Sequence, residues 1–203
     1  NNLLETAVVC DAVATPLKII KKARISSFDK VGVIGAGGGL GIHMLKMLKL
    51  NNISAIGIDT KTEKFNTCNE NGAEFSVSPM ENNLKNKIAD YSKSHDLDVV
   101  IDFVSSKSSL ELGCSILGKG GRLVTLGGSG EQFLANSADM LVKELELIGS
   151  RYCTKQELKE SLDLYARGLI EPLVSVKTDF DGAEGLHDKI EKGEITGRAG
   201  ILI

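Results

Sequence analysis

The feature that most constrains what this chain can fold into is residues 31–41, Val-Gly-Val-Ile-Gly-Ala-Gly-Gly-Gly-Leu-Gly. The β-branched start reads as a buried strand, the glycines as a tight turn, and 40–50 has helical spacing. Glycine is needed in such a turn because a Cβ would hold the backbone away from a pyrophosphate. The helix that follows must also aim its free N–H groups and positive dipole end at the anion. Counting G-x-G-x-x-G from Gly35 reaches Leu40 and misses, whereas counting from Ala36 reaches Gly38 and Gly41 with alanine in the first slot. We adopt the second register, which makes the turn one residue longer than the minimal form.

A second signal supports the first. The strand expected at 53–58 ends in Asp59, about 20 residues past the turn, where an acid can hold both hydroxyls of an adenosine ribose. Together they predict a dinucleotide site. A carboxylate there repels a 2′-phosphate, so NAD is favoured over NADP.

From residue 31 the pattern alternates: strand 31–35, helix 39–50, strand 53–58, helix 61–71, strand 73–77, helix 81–93, strand 98–104, helix 107–117, strand 122–126 and a strand at 144–148. Six strands alternating with helices predict an α/β fold, a doubly wound parallel sheet of the Rossmann type. Runs such as 31–34 and 99–101 suit a sheet covered on both faces. Before the sheet, Asp11 is expected to cap a helix running to about Ala23, with Pro16 shortening or kinking it and Lys18, Lys21, Lys22 and Arg24 placed where cations suit the dipole. After Ser150 come a helix at 156–167, an extended 173–178, a helix at 181–192 and a strand over 193–203. The apolar end of that last strand calls for a pairing partner or further sequence.

The 203 residues can bury a substantial core. A net charge of −3 and a pI near 5.7, with lysines interleaved among glutamates, argue against nucleic acid as a partner. No run of roughly 18 apolar residues and no signal peptide is present, so no membrane partner and a cytoplasmic location are expected. Cys10, Cys68, Cys114 and Cys153 lie far apart with no C-x-x-C pair, which leaves out a structural zinc knot and a disulfide framework. His43, His95 and His187 have no metal spacing and read as structural or exposed.

The run at 7–23, Ala-Val-Val-Cys-Asp-Ala-Val-Ala-Thr-Pro-Leu-Lys-Ile-Ile-Lys-Lys-Ala, resembles the zinc-dependent medium-chain alcohol dehydrogenases. So do the lengthened glycine turn, Asp59 with Lys64 five residues on, and the tail Gly-Glu-Ile-Thr-Gly-Arg at 193–198. The likeness covers nearly the whole chain. It implies a Rossmann domain at 12–150, with 1–11 and 151–203 as remnants of a catalytic domain whose main, N-terminal part is absent here and supplies two zinc ligands. The third ligand falls on Asp11 when Ala7, Thr15, Lys21 and Ala23 are matched; the other reading makes Asp11 a helix cap, and Cys10 is the rival ligand.

By the same resemblance Thr15 lies against the nicotinamide, although Val13 and Pro16 depart from the usual context. Lys64 reaches the adenosine ribose edge, the alternative being a solvated helix lysine. Val104 and Ser105 stand beside ribose and nicotinamide, and Leu126, Gly127 and Gly128 hold the nicotinamide face. Arg198 takes the pyrophosphate, for which a guanidinium fork is suited, and Gly35, Ala36, Gly37, Gly38, Gly39, Leu40 and Gly41 form the phosphate turn.

The implied reaction is hydride transfer between NAD and an alcohol or carbonyl substrate, with zinc polarising the substrate oxygen. The fragment alone is expected not to turn over. The resemblance also implies a homodimer or homotetramer joined edge to edge near 145–148. Rival readings are a zinc-free quinone or enoyl reductase of the same superfamily, a threonine or polyol dehydrogenase, and, from another class, an NAD-sensing regulatory module.

Overall fold

The run Val99-Val100-Ile101 has no polar alternate and needs cover on both faces. The computed structural model, which describes residues 3–93 and 96–202, supplies it. Among those residues β1 (Lys30–Ile34), β2 (Ser54–Ile58), β3 (Ser76–Val77), β4 (Leu97–Asp102), β5 (Leu117–Thr125) and β6 (Glu146–Gly149) form one parallel sheet in the order β3-β2-β1-β4-β5-β6. This is the expected doubly wound sheet. The chain winds outward from β1 to β3 and then crosses back to β4, so the carboxyl ends of β1 and β4 flank a crevice where ligands of such sheets bind.

The helices are α1 (Leu3–Val8), α2 (Ala14–Lys22), α3 (Gly41–Leu50), α4 (Phe65–Glu70), α5 (Leu84–Ser92), α6 (Lys107–Ser115), α7 (Ser137–Lys143), α8 (Lys155–Ala166) and α9 (Ala183–Glu191). Strand parity decides which core each residue joins. Val31, Val33, Ala55, Val99, Ile101 and Val124 pack with α2 and α3 on one face. Ile34, Ile56, Ile58, Val100 and Leu123 pack with α5 and α6 on the other.

Four elements differ from expectation. First, Asp11 does not cap a helix: α1 starts at Leu3 and runs through a π-helical turn, Val9–Val13, straight into α2. Pro16 has no N–H to offer the carbonyl of Ala12 and its ring crowds that carbonyl, so the widened turn relieves the conflict without breaking the helix. The boundary expected between 11 and 12 falls inside this turn.

Second, α7 was not foreseen. It buries none of its residues fully and so carries no apolar stripe to read; its start is marked by the Asn136 side chain accepting the Ala138 N–H at 2.9 Å. Third, β5 begins at Leu117 rather than 122, crossing Gly118, Gly120 and Gly121 with a register shift against β4. Fourth, the helix expected at 61–71 opens with a tighter 3₁₀ turn, Thr62–Lys64.

The cations at the end of α2 also reach across space: Lys21 and Arg24 pair with Glu160 and Glu146, and Lys18 and Lys22 donate to the carbonyls of Arg151 and Gly149. They fasten α2 to β6 and α8.

The C-terminal segment forms a small parallel pair, β7 (Val174–Thr178) with β8 (Arg198–Ile201). The partner required by the apolar end is therefore β7, and α1 covers the strand, with Leu4 occupying the space over Gly200. Ile203 and His95 lie outside the described residues.

Candidate nucleotide site

β1 ends against the helix it launches. Gly35 adopts φ +75°, the left-handed region that L side chains avoid, and its N–H donates to the Ile58 carbonyl at 2.9 Å, pinning the turn to the end of β2. The left-handed residue is thus Gly35, one before the alanine from which the spacing was counted; Ala36 is wholly buried. At Gly41 the helix touches the turn so closely that a Cβ would stand 2.1 Å from the Gly35 carbonyl oxygen. A Cβ on Gly38, by contrast, would meet only that same oxygen, at 3.2 Å, and otherwise project into open space above the turn.

That space is a cavity of about 410 Å³ walled by Gly38, Gly39, Gly41, Asp59, Lys64 and Arg198. The N-terminal end of α3 opens on it at Gly41, while the Ile42 and Met44 N–H groups already donate to the carbonyls of Gly38 and Leu40. Adjoining it is an apolar slot of about 310 Å³ between Ile34, Ile58, Pro79, Met80 and Leu112. Gly35, Asp59, Thr60 and Val104 line both. A wet cradle continuous with an apolar slot fits a phosphate group joined to a flat base, and a side chain at Gly38 would fill the cradle.

Asp59 stands where the two spaces meet. One carboxylate oxygen accepts the Gly37 N–H at 2.8 Å and the other the Lys61 N–H at 3.0 Å, so the backbone aims the group before any ligand arrives. Lys64 is not a solvated lysine: it is buried, its stem lies over Gly37, and its ammonium donates to the Ile195 carbonyl at 2.7 Å.

Across the crevice, the wholly buried Asp102 at the end of β4 organises the next turn. It accepts the N–H groups of Val104 and Ser105 at 2.8 and 2.9 Å and the Ser109 hydroxyl at 2.7 Å. These bonds hold Ser105 at φ +53°, where a non-glycine residue is uncommon. The Ser105 hydroxyl accepts the Gly127 N–H at 2.8 Å and lies 2.6 Å from the Thr125 hydroxyl. It therefore ties β4 to β5, while Val104 points half-exposed into both cavities. Leu126, Gly127 and Gly128 follow β5 beside Ser105 and do not line either cavity.

Asp11 and Thr15 lie at the far edge of the site. The Thr15 hydroxyl donates to Asp11 at 3.4 Å, and Arg198, 187 residues away in sequence, forms an ion pair with the other oxygen of the same carboxylate. Cys10 turns its thiol to the Thr6 carbonyl in its own helix. Among the described residues no group of three His, Cys, Asp or Glu side chains could hold a metal. Among the described residues the one carboxylate expected to bind zinc, Asp11, is shared by a guanidinium and a hydroxyl, and it offers a single donor where a zinc site takes three or four.

Arg198 is held on the turn from several directions. Its guanidinium occupies the space a Cβ on Gly39 would need, its N–H donates to the Leu173 carbonyl, and the neighbouring Gly197 N–H donates to the Gly37 carbonyl.

Of the histidines expected to be structural or exposed, His43 is wholly buried within α3 and His187 is exposed. The Leu173 N–H can only donate, so His43 Nε2 is the acceptor of that 2.9 Å bond, and Nδ1 carries the proton given to the Gly39 carbonyl at 2.7 Å. Burial, and secondarily the nearby charges of Arg198 and Lys46, lower its pKa from 6.5 to about 4, against a raising effect of the Gly39 bond. The unfolded chain thus takes up this proton first, so the stabilisation is complete above pH 6.5 and is lost as pH falls toward 4. At 1.36 kcal/mol per pH unit, roughly 3 kcal/mol is at stake. Urea unfolding of wild type and His43→Gln should show the wild type losing more stability on acidification by about that amount; parallel curves would refute it.

The slot residues Pro79, Met80 and Leu112 could not have been found from sequence, since they come from separate segments and share no spacing.

Comparison with known proteins gives the family and agrees with the fold. The zinc-binding dehydrogenase family matches residues 39–167. An NAD-dependent alcohol dehydrogenase of Sulfolobus acidocaldarius is 27% identical over 194 residues, 94% of this chain and 55% of that protein. An acryloyl-coenzyme A reductase of Metallosphaera sedula is 27% identical over 182 residues, 87% of this chain and 52% of that protein. The crystal structure of the alcohol dehydrogenase from Aeropyrum pernix superposes with a TM-score of 0.87 at 27% identity, over 96% of this chain and 56% of that one. The chain spans just over half the length of these relatives.

Proposed function

This chain belongs to the zinc-binding dehydrogenase family, and from that premise we propose that it is the cofactor-binding part of an alcohol dehydrogenase, working between an alcohol and NAD. The observation that carries the cofactor choice is Asp59, held by two backbone N–H groups at the junction of cradle and slot. The adenine enters the apolar slot, the adenosine ribose meets Asp59 with Lys64 at its edge, and the pyrophosphate lies over residues 35–41 within reach of Arg198. Val104, Ser105 and residues 126–128 border the nicotinamide, with Thr15 opposite. When bound, NAD supplies the ring carbon that exchanges hydride with the substrate. The chain's own part is to bind, to orient, and to keep the phosphate turn rigid.

Residues 12–150 form the dinucleotide-binding domain in this reading, and 1–11 with 151–203 belong to the catalytic unit, so the chain alone binds without turning over. Zinc would need two further ligands from outside this chain, and no step here depends on Asp11 as a ligand. A second reading, a zinc-free reductase of enoyl substrates, is favoured by one observation: Asp11 is committed to Arg198. Self-association belongs to the edge strand β6, whose Leu147 is half-exposed. Sedimentation of the chain at micromolar concentration should give a mass above that of a monomer.

Calorimetric titration with NAD and NADP tests the cofactor. NAD should bind at least ten-fold tighter than NADP, a difference on the order of the 1.5–3 kcal/mol of hydrogen bonds to a charged group. Asp59→Asn should bring the two affinities together by removing the charge that repels a 2′-phosphate. Equal affinities in the wild type, or a preference for NADP, would end the NAD reading.

A further inference from the structure

We infer that His43 is a positioning residue that sets the register of the C-terminal strap, and through it the place of Arg198 over the phosphate turn. The inference rests on the cofactor site proposed above. Arg198 stands on β8 and can serve a pyrophosphate only if that strand lies in one register against residues 35–41. A two-stranded unit such as β7–β8 is marginal by itself, so its place must come from what it is fastened to.

The fastenings form a ring of three hydrogen bonds closed by one packing contact. The imidazole of His43 holds the Gly39 carbonyl through Nδ1–H and accepts the Leu173 N–H at Nε2. The Leu173 carbonyl in turn accepts the Arg198 N–H at 2.9 Å, and the Arg198 guanidinium returns to lie against Gly39. Beside this ring, Gly197 N–H to the Gly37 carbonyl and Lys64 to the Ile195 carbonyl pin the same segment to the turn. Within the ring His43 hydrogen-bonds both segments, 130 residues apart in sequence, through its side chain, and both of its nitrogens are used. Apolar replacement would strand the part-buried Leu173 N–H and loosen that residue, and with it the carbonyl that receives Arg198.

The two sides of the imidazole separate experimentally. Asparagine keeps a donor near Nδ1 but cannot reach Leu173, whereas the longer glutamine amide can offer an oxygen where Nε2 accepted. NAD titrations of this chain are compared for wild type, His43→Asn, His43→Gln, Arg198→Ala and the double variant His43→Asn/Arg198→Ala. His43→Asn should weaken NAD by about ten-fold, and His43→Gln should recover most of that loss. On the Arg198→Ala background His43→Asn should cost less than about three-fold more, because the arginine it positions is gone. Full additivity in the double variant would overturn the inference, since a merely structural histidine would cost the same on either background.

Amide hydrogen exchange decides the matter where no NAD binds, an outcome that counts against the cofactor site itself. Leu173 and Arg198 should then exchange faster in His43→Asn while the amides of β1, β4 and β5 do not change. Unaltered exchange at both, or equal acceleration throughout the sheet, would overturn it. If His43→Asn does not fold, His43→Gln is read against the wild type: it should bind NAD within about three-fold of wild type, and a ten-fold loss would overturn the inference.

Discussion

Gly41→Ala is expected to destroy the phosphate turn and most of the stability with it. The added Cβ would lie 2.1 Å from the Gly35 carbonyl oxygen and 2.7 Å from both the Cα and the oxygen of Ala36. All three are backbone atoms, so no side chain can swing aside. The helix itself must retreat from β1, and that helix brings Ile42, Met44, Leu45 and Leu48, all wholly buried, into the core. Overpacking a core ordinarily costs about 1–3 kcal/mol and more where the backbone must move; a loss above about 3 kcal/mol in urea unfolding is expected, together with loss of NAD binding. Gly128→Ala is the control: nothing lies within 4 Å of its Cβ, and stability should be unchanged. A folded Gly41→Ala within about 1 kcal/mol of wild type would show that the turn tolerates displacement.

Asp102→Ala should be nearly as damaging, by a different route. Deleting the carboxylate leaves the N–H groups of Val104 and Ser105 and the hydroxyl of Ser109 without their acceptor at a position closed to water. Each stranded donor costs about 1–3 kcal/mol, less where relaxation finds a new partner, so a total of about 4 kcal/mol is expected. Asp102→Asn keeps one acceptor oxygen for the two N–H groups and should lose less than half as much. The effect also reaches the site: once Ser105 is free of its left-handed conformation, it no longer presents its hydroxyl to the Gly127 N–H. Denaturant unfolding at neutral pH measures the first effect and NAD titration the second. Equal stabilities of the alanine and asparagine variants would mean the carboxylate does not organise this turn.

Much of this molecule was legible in local patterns. The alternation of apolar runs with helical spacing specified a covered parallel sheet, because each strand's needs are met by neighbours of any sequence that is apolar enough. Asp59 was legible because strand length and turn length set its distance from the glycines. What escaped were features without a periodic signature. Helix α7 buries too little to leave a stripe, and the lead helix could continue past Pro16 only because a π-turn relieved the carbonyl of Ala12. Asp11 caps no helix and pairs with Arg198, a contact across 187 residues that no spacing encodes.

Chain stiffness, hydrophobic period and short covalent distances already specify the fold class, the family, and the glycine turn with Asp59 beyond it. Long-range packing sets the rest: Lys64 gives its ammonium to the Ile195 carbonyl, His43 joins the turn to the strap, and Asp11 meets Arg198. Those contacts arise where segments far apart in the chain are brought together by burying the sheet, and a side chain's partner there is chosen by the packing of everything between.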